Sequence, residues 1–312
     1  MPALATPRTT LLPALALTFN ALVWGTSWWP LRQFEMRGLH PLWTTLFVYL
    51  LAVGVIVVAR PRSVAQVIRS PALWVLVLAA GTTNAAFNWG VVIGDVVRVV
   101  LLFYLMPLWA VVLARLLLRE PLTRLAGARV VLALAGAAIV LWPQDAVGWG
   151  QWPIPRSLPD WLGVLGGFSF ALNNVMLRRE AQQPEEGRAL AMFAGGALVA
   201  GVLATLLAWG AHVPWPAAPS WGVAAGALAL SALFLVGNLA LQFGAARLPA
   251  NVTSVVMLTE VVFASVSALL LGGGSLSGPL LVGGSLILAA ALLSAVEAAT
   301  ISSPIPTRAR TP

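Results

Sequence analysis

A succession of apolar runs constrains this chain most, because each is about 20 residues long, the length an α-helix needs to cross the hydrocarbon of a bilayer. They cover residues 11–31, 41–59, 72–93, 97–118 and 125–142, then 161–177, 189–210, 221–242, 251–271 and 279–298. Of 312 residues, 60% are hydrophobic and 9% charged, whereas a soluble domain carries about a quarter charged residues. A water-soluble fold could not dispose of so much apolar surface. The reading is an all-α integral membrane protein with ten transmembrane helices in two groups of five, residues 1–142 and 161–298. The connection Pro143 to Asp160, rich in Pro and Trp, separates the groups, and residues 299–312 form a tail. The first run is expected to stay in the mature protein. Its apolar stretch is too long for a signal peptide, and Trp28-Trp29-Pro30-Leu31-Arg32 offers no small-residue cleavage site.

Charge then orients the chain. There is no lysine, and the 18 basic side chains are arginines scattered in ones, twos and threes between apolar runs. That scatter reads as topology information rather than a nucleic-acid stripe, despite a sequence pI near 11.6. With the amino terminus cytoplasmic, thirteen arginines from Arg8 to Arg310 fall in inner connections and tails, and four, Arg32, Arg37, Arg98 and Arg156, fall outside. Both termini are therefore expected in the cytoplasm. Trp43, Trp74, Trp161 and Trp221 open runs, while Trp142, Trp209 and Trp215 close them, the places of an interfacial belt. The chain has no cysteine and only two histidines, His40 and His212, in connecting segments. No His-Glu-x-x-His, no Gly-x-Ser-x-Gly and no pair of acids within a turn inside the membrane is present, so neither an enzyme nor a cofactor is expected.

The polar residues inside the runs repeat. Asn84 to Gly90, Asn-Ala-Ala-Phe-Asn-Trp-Gly, has a near copy 154 residues later at Asn238 to Gly244, Asn-Leu-Ala-Leu-Gln-Phe-Gly. Four residues is about one helical turn, so Asn84 with Asn88, and Asn238 with Gln242, share a helix face. A buried amide without a partner costs a few kcal/mol. These four are expected either to line a polar cavity or to join helices. Trp24-Gly25 leading to Leu31-Arg32 corresponds to Phe170 through Asn173-Asn174 leading to Leu177-Arg178, at an offset of 146. Asn173 and Asn174 lie about 100° apart on a helix, so one of them, Asn174, is expected to face the cavity. Pro107 precedes Glu120 by thirteen residues, as Glu260 precedes Gly273. Five spans per unit is an odd number, so the second unit enters the membrane from the opposite side. Inverted repeats of this kind recur in secondary transporters, with the solute site near the midplane between them.

Glu260 falls near the middle of its run, where an ionisable group is by default functional or tightly partnered. Trp24 and Trp28, one turn apart, and Trp89 could present rings to a solute, or merely pack or face lipid. Tyr104 stands three residues before Pro107, whose kink exposes a backbone carbonyl. Asp95 and Arg98 are expected to pair at the outer surface. The pairs Gly90/Gly94, Gly163/Gly167 and Gly222/Gly226 are expected to allow tight helix packing. Gly272-Gly273-Gly274 is expected to form an outer turn, as a plain loop or as a gate hinge.

The five-plus-five arrangement, Trp24-Gly25, and the run Leu105-Met106-Pro107 through Leu118-Arg119-Glu120 to Gly127 together resemble the drug/metabolite transporter superfamily, EamA type. Within it, the abundant Trp and the Asn-rich lining look most like the bacterial YddG-type exporter of aromatic amino acids. The resemblance implies a monomeric inner-membrane carrier exporting amino acids, aromatic or other neutral ones, or related metabolites by alternating access. Its partners would be a small-molecule substrate and the lipid bilayer, with no nucleic acid. A drug or purine-metabolite exporter of the same fold, or a channel-like facilitator, is the alternative. The chain departs from the family pattern where Glu260 replaces a proline and Gly272-Gly273-Gly274 replaces Gly-Glu, so the role of Glu120 does not carry over to the second half.

The absence of cysteine makes the orientation directly testable by single-cysteine labelling. Arg62→Cys and Arg308→Cys should react with an impermeant maleimide only after permeabilisation, and Arg156→Cys should react on intact cells. Labelling of position 308 from outside would contradict the inverted pairing.

Overall fold

The computed structural model describes residues 7–119, 123–142, 152–218, 220–245, 247–248 and 250–301. Glu120, the first half of the central connection (143–151), and Arg308 and Arg310 lie outside the described residues. Among those described there is no strand, and a helix covers each of the apolar runs. Helix α1 (Pro7–Thr26) continues after a break at Ser27 as α2 (Trp28–Met36). The Ser27 hydroxyl donates to the Trp24 carbonyl at 2.8 Å. Helix α3 (Pro41–Ala59) and helix α5 (Pro71–Ile93) both begin with proline, which loses nothing at a first turn whose N–H has no partner. His40 and Ser70 cap them, each accepting a backbone N–H. The short α4 (Arg62–Arg69) lies between.

Next come α6 (Val96–Phe103) and α7 (Met106–Leu113), the latter running into a π-helical turn at Ala114–Leu118. Helix α8 (Arg124–Val140) closes the first half. The second half holds α9 (Leu158–Arg179), α10 (Glu185–Trp209), α11 (Trp221–Ala245), α12 (Ala250–Met257), α13 (Thr259–Leu271) and α14 (Gly278–Ile301). Six stretches among the described residues are long and apolar enough to cross a membrane: Leu11–Met36, Pro41–Ala59, Pro71–Ile93, Val96–Leu118, Glu185–Trp209 and Trp221–Ala245. The apolar helices at Val255–Leu271 and Gly278–Leu293 are shorter. Helix α9 is long, but Asp160, Asn173, Asn174, Arg178 and Arg179 dilute its apolar character.

Two runs are broken near the middle. Between α6 and α7 the chain tightens at Tyr104 and Leu105, where Leu105 N donates three residues back to Leu102 O at 3.2 Å. Pro107 explains the break, because it has no N–H to give the Phe103 carbonyl. Between α12 and α13 the same tightening occurs at Leu258, with Leu258 N on Val255 O at 3.2 Å. No proline stands there. Instead the Thr259 hydroxyl donates to the Val256 carbonyl at 2.6 Å, a side chain competing for a helical acceptor.

The halves interlock. Helix α9 packs on α5, α6 and α7; α1 packs on α11, α12 and α13; α10 covers α3 and α5; and α8 lies along α14. Small residues set how close these crossings come. A Cβ on Gly136 would lie 2.5 Å from the Gly283 carbonyl, and one on Gly283 would lie 2.6 Å from the Gly136 carbonyl. Gly81 and Gly195 meet backbone to backbone in the same way. Of the expected glycine pairs, Gly90/Gly94 and Gly163/Gly167 do sit at tight contacts with α6 and the start of α9, but Gly222 meets no helix, its nearest neighbour being the Ser220 hydroxyl at 4.0 Å. The tryptophan belt also needs one correction. Trp43 is buried and donates to the Pro214 carbonyl at 3.0 Å, whereas Trp74, Trp142, Trp161, Trp209, Trp215 and Trp221 are exposed.

Gly136→Ala should lower the thermal midpoint of the detergent-solubilised protein, with a cost of about 1–3 kcal/mol for forcing two backbones apart. Gly54→Ala, whose Cβ meets nothing within 4 Å, should leave the midpoint unchanged or raise it, since alanine favours a helix by up to about 1 kcal/mol. Equal midpoints for the two variants would show that α8 and α14 do not meet at Gly136.

Candidate functional site

The two broken helices face each other across a cavity of about 410 Å³ at the centre of the bundle. Its wall draws on both halves, with α1, α3, α5, α6 and α7 on one side and α9 to α14 on the other. Glu260 occupies the first turn of α13, immediately after the break. A helix N-terminus presents unpaired N–H groups and favours a negative side chain. The Tyr104 hydroxyl, from the opposite break, donates to the Met257 carbonyl at 3.5 Å and stands beside the Glu260 carboxyl group. Gly25 makes this meeting possible from the third side. A Cβ there would lie 2.6 Å from the Glu260 carbonyl oxygen, so α1 presses directly on the start of α13 while Trp24 enters the cavity.

Rings make up much of the remaining wall. Trp24 stacks on Phe234 with centroids 4.7 Å apart and planes 15° from parallel. Phe87 meets Phe103 edge to face at 4.9 Å, and Phe170 lies 5.3 Å from Phe103. The amides are set between them. Asn84 accepts from the Tyr49 hydroxyl at 2.6 Å and donates to the Ala80 carbonyl at 2.8 Å. Asn20 is fully buried and donates to the Met257 sulfur at 3.6 Å. Its carbonyl oxygen and that of Asn173 are buried without a hydrogen-bond partner. Glu260 is the single charged residue among those that line the cavity.

Of the residues expected at a solute site, Trp24, Asn84, Tyr104, Asn174, Asn238 and Glu260 line this cavity. Four other expected residues do not. Trp28 is buried elsewhere, its indole donating to the Ser267 hydroxyl at 2.9 Å beneath Gly273 and the Arg32 guanidinium. The break at Ser27 ends the helical periodicity that would have stacked it above Trp24. Asn88 is fully buried and donates to the Thr45 hydroxyl at 3.1 Å, joining α5 to α3. Trp89 packs edge-on against His40 at 5.2 Å. Burial pushes that imidazole down to about 4, so it is neutral at physiological pH and free to accept from Leu42 N. Gln242 is exposed and donates to the Asn238 side chain at 2.7 Å. In each amide pair, then, the first member lines the cavity and the second does not. Asn173 and Asn174 both line it, contrary to the expectation of one.

The expected Asp95–Arg98 side-chain pair is replaced by a different one. Arg98 grips Asp160 through two nitrogens at 2.7 and 3.1 Å and donates to the Val140 carbonyl at 2.6 Å. Asp95 caps α6 through Arg98 N and accepts from Ser275 N at 2.8 Å. Arg32 closes the end of α5 by donating to the carbonyls of Val91, Val92 and Gly94. Gly272-Gly273-Gly274 is therefore a pinned loop. Gly273 lies under Trp28 and Gly274 beside Asp95.

Asn20, Tyr49 and the phenylalanines escaped the sequence reading. Asn20 had a usable signal, being one turn before Trp24. The phenylalanines had none, since nothing in their composition separates a cavity ring from a core ring. A larger groove of about 630 Å³ between α3, α5 and α10 is lined by apolar side chains such as Leu50, Trp74 and Leu198. Its one hydroxyl, Thr205, donates to its own helix at 2.8 Å, so the groove is a hydrocarbon-facing seam rather than a recognition site.

No curated protein matches the chain. A solved structure is similar in fold, with a TM-score of 0.56 and 20% identity, covering 93% of this chain and 99% of its own. Residues 11–142, from α1 to just past the end of α8, match the model of the EamA-like transporter family. The chain is a multi-pass membrane protein, and its residues 11–142 are similar to the EamA-like transporter family.

Proposed function

We propose that this protein is a secondary transporter of the bacterial inner membrane that exports small metabolites, amino acids with aromatic or other neutral side chains among them, by alternating access. The observation that carries the reading is the central cavity, because both halves contribute corresponding positions to it. The break at Tyr104 answers the break at Leu258, and Asn84 answers Asn238. Helix α9 lies on α5 to α7 as α1 lies on α11 to α13, and α8 meets α14 through one glycine from each. This is the pattern expected of two inverted units, residues 1–142 and 161–298, joined by 143–160, with broken helices at a midplane site.

Both halves of the chain wall the cavity, and the carrier is proposed to act as a monomer. A channel-like facilitator is less well supported, because ion pathways use rings of charges or carbonyls and this wall holds one carboxylate. The arginine distribution favours cytoplasmic termini, and the proposed outward direction follows the resemblance to exporters.

Purified protein in proteoliposomes should show saturable counterflow of a labelled solute from a panel of amino acids, purine metabolites and organic amines. Stepwise conductance in planar bilayers would overturn the carrier in favour of a channel. Trp24→Ala should raise the half-saturating concentration by about tenfold, since loss of a stacked ring and its area is worth roughly 1–2 kcal/mol. Trp221→Ala, which removes an indole 92% exposed, should change it by less than about twofold.

A further inference from the structure

We infer that the cavity selects a monovalent organic cation carrying a ring, an aromatic amine, over the zwitterionic amino acid bearing the same ring. This rests on the cavity being the transport site proposed above, and it goes further by naming the charge of the cargo. The lining is unbalanced. Glu260 supplies a carboxyl group able to carry a negative charge opposite a cation, and among the described residues no arginine or histidine lines the cavity to supply a positive one. The chain has no lysine at all. Arg32 and Arg98, the cations nearest in sequence to lining residues of α1 and α6, are held by the carbonyls of α5 and by Asp160.

The wall also offers acceptor oxygens to such a cargo. Four donors in the wall already have acceptors: the Tyr49 hydroxyl on Asn84, the Asn84 amide on Ala80 O, the Asn20 amide on the Met257 sulfur and the Tyr104 hydroxyl on Met257 O. Among the lining side chains, the buried polar atoms without partners are the carbonyl oxygens of Asn20 and Asn173 and the Thr253 hydroxyl, all three able to accept. An alkylammonium group brings N–H donors and a positive charge, and would meet a carboxylate and amide oxygens. Trp24 and the neighbouring phenylalanines add the negative faces that attract a cation at close range. A solute carboxylate in the same place would face Glu260 with no fixed cation to offset its lost hydration. The cavity volume of about 410 Å³ suits a single-ring solute.

The test is a charge series on one ring, titrated into purified full-length protein by calorimetry: phenethylamine and phenylalanine amide as cations, phenylalanine as zwitterion, 3-phenylpropionate as anion and 2-phenylethanol as neutral. Both cations should bind at least tenfold more tightly than phenylalanine, and the anion should bind most weakly. Glu260→Gln should abolish the discrimination, with phenethylamine and phenylethanol falling within about threefold of each other. Phenylalanine binding as tightly as the amines, or a Glu260→Gln protein that keeps the ranking, would overturn the inference. Should that variant not fold, the series on the unaltered protein decides alone. Counterflow separates the two readings. Transport of phenylalanine but not of phenethylamine overturns the charge selection and leaves the carrier standing. Tight amine binding without counterflow of any solute overturns the carrier and leaves the cation site.

Discussion

The meeting of two helix breaks organises the rest of this molecule. A carboxyl group deep in a hydrocarbon setting is expensive unless it has polar neighbours, and here a phenol from the other half of the chain stands beside it. The breaks put Glu260 at a helix start and Tyr104 at a helix end, face to face. Gly25 then allows α1 to close on the same spot, which brings Trp24 alongside. The cavity is what the surrounding rings leave unfilled.

The packing around this centre follows from the absence of a hydrophobic drive between helices in lipid. Lipid tails are as apolar as leucine, so close approach and hydrogen bonds hold such helices together. Both means are present here. Glycines face glycines at the crossings of α5 with α10 and of α8 with α14. Polar side chains join helices at Asn88 with Thr45 and at Trp28 with Ser267. At one end of the bundle Arg98 and Asp160 tie α6 to α9. Asp95 ties the start of α6 to the loop after α13.

Much of this was legible in the sequence, and what was not has physical reasons. The apolar runs were legible because span length is dictated by bilayer thickness and little else. Helix starts at Ser70, Asp95, Thr123 and Ser157 carry ordinary capping residues. The amide pairs were half legible. Periodicity shows that Asn84 and Asn88 share a face, but which neighbour covers each turn of that face depends on helices far away in sequence. Asn88 meets α3, and Asn84 one turn earlier meets the cavity and Tyr49. Trp24 and Trp28 fail as a pair because Ser27 interrupts the helix between them, a break that no proline announces. The partner of Arg98 stands 62 residues away, beyond any local pattern.

The two breaks are not chemically alike. The first contains Pro107, whose ring and missing N–H cannot be accommodated in a straight helix without a cost of about 3 kcal/mol. It is a fixed elbow. The second is held by one hydroxyl, that of Thr259 on the Val256 carbonyl, and exchanging that bond for a backbone one alters stability by only about 1 kcal/mol. It is a joint that can straighten. Of the two halves, the one bearing the carboxylate is therefore the half able to lengthen, and straightening would carry Glu260 around the axis of its own helix and away from Tyr104.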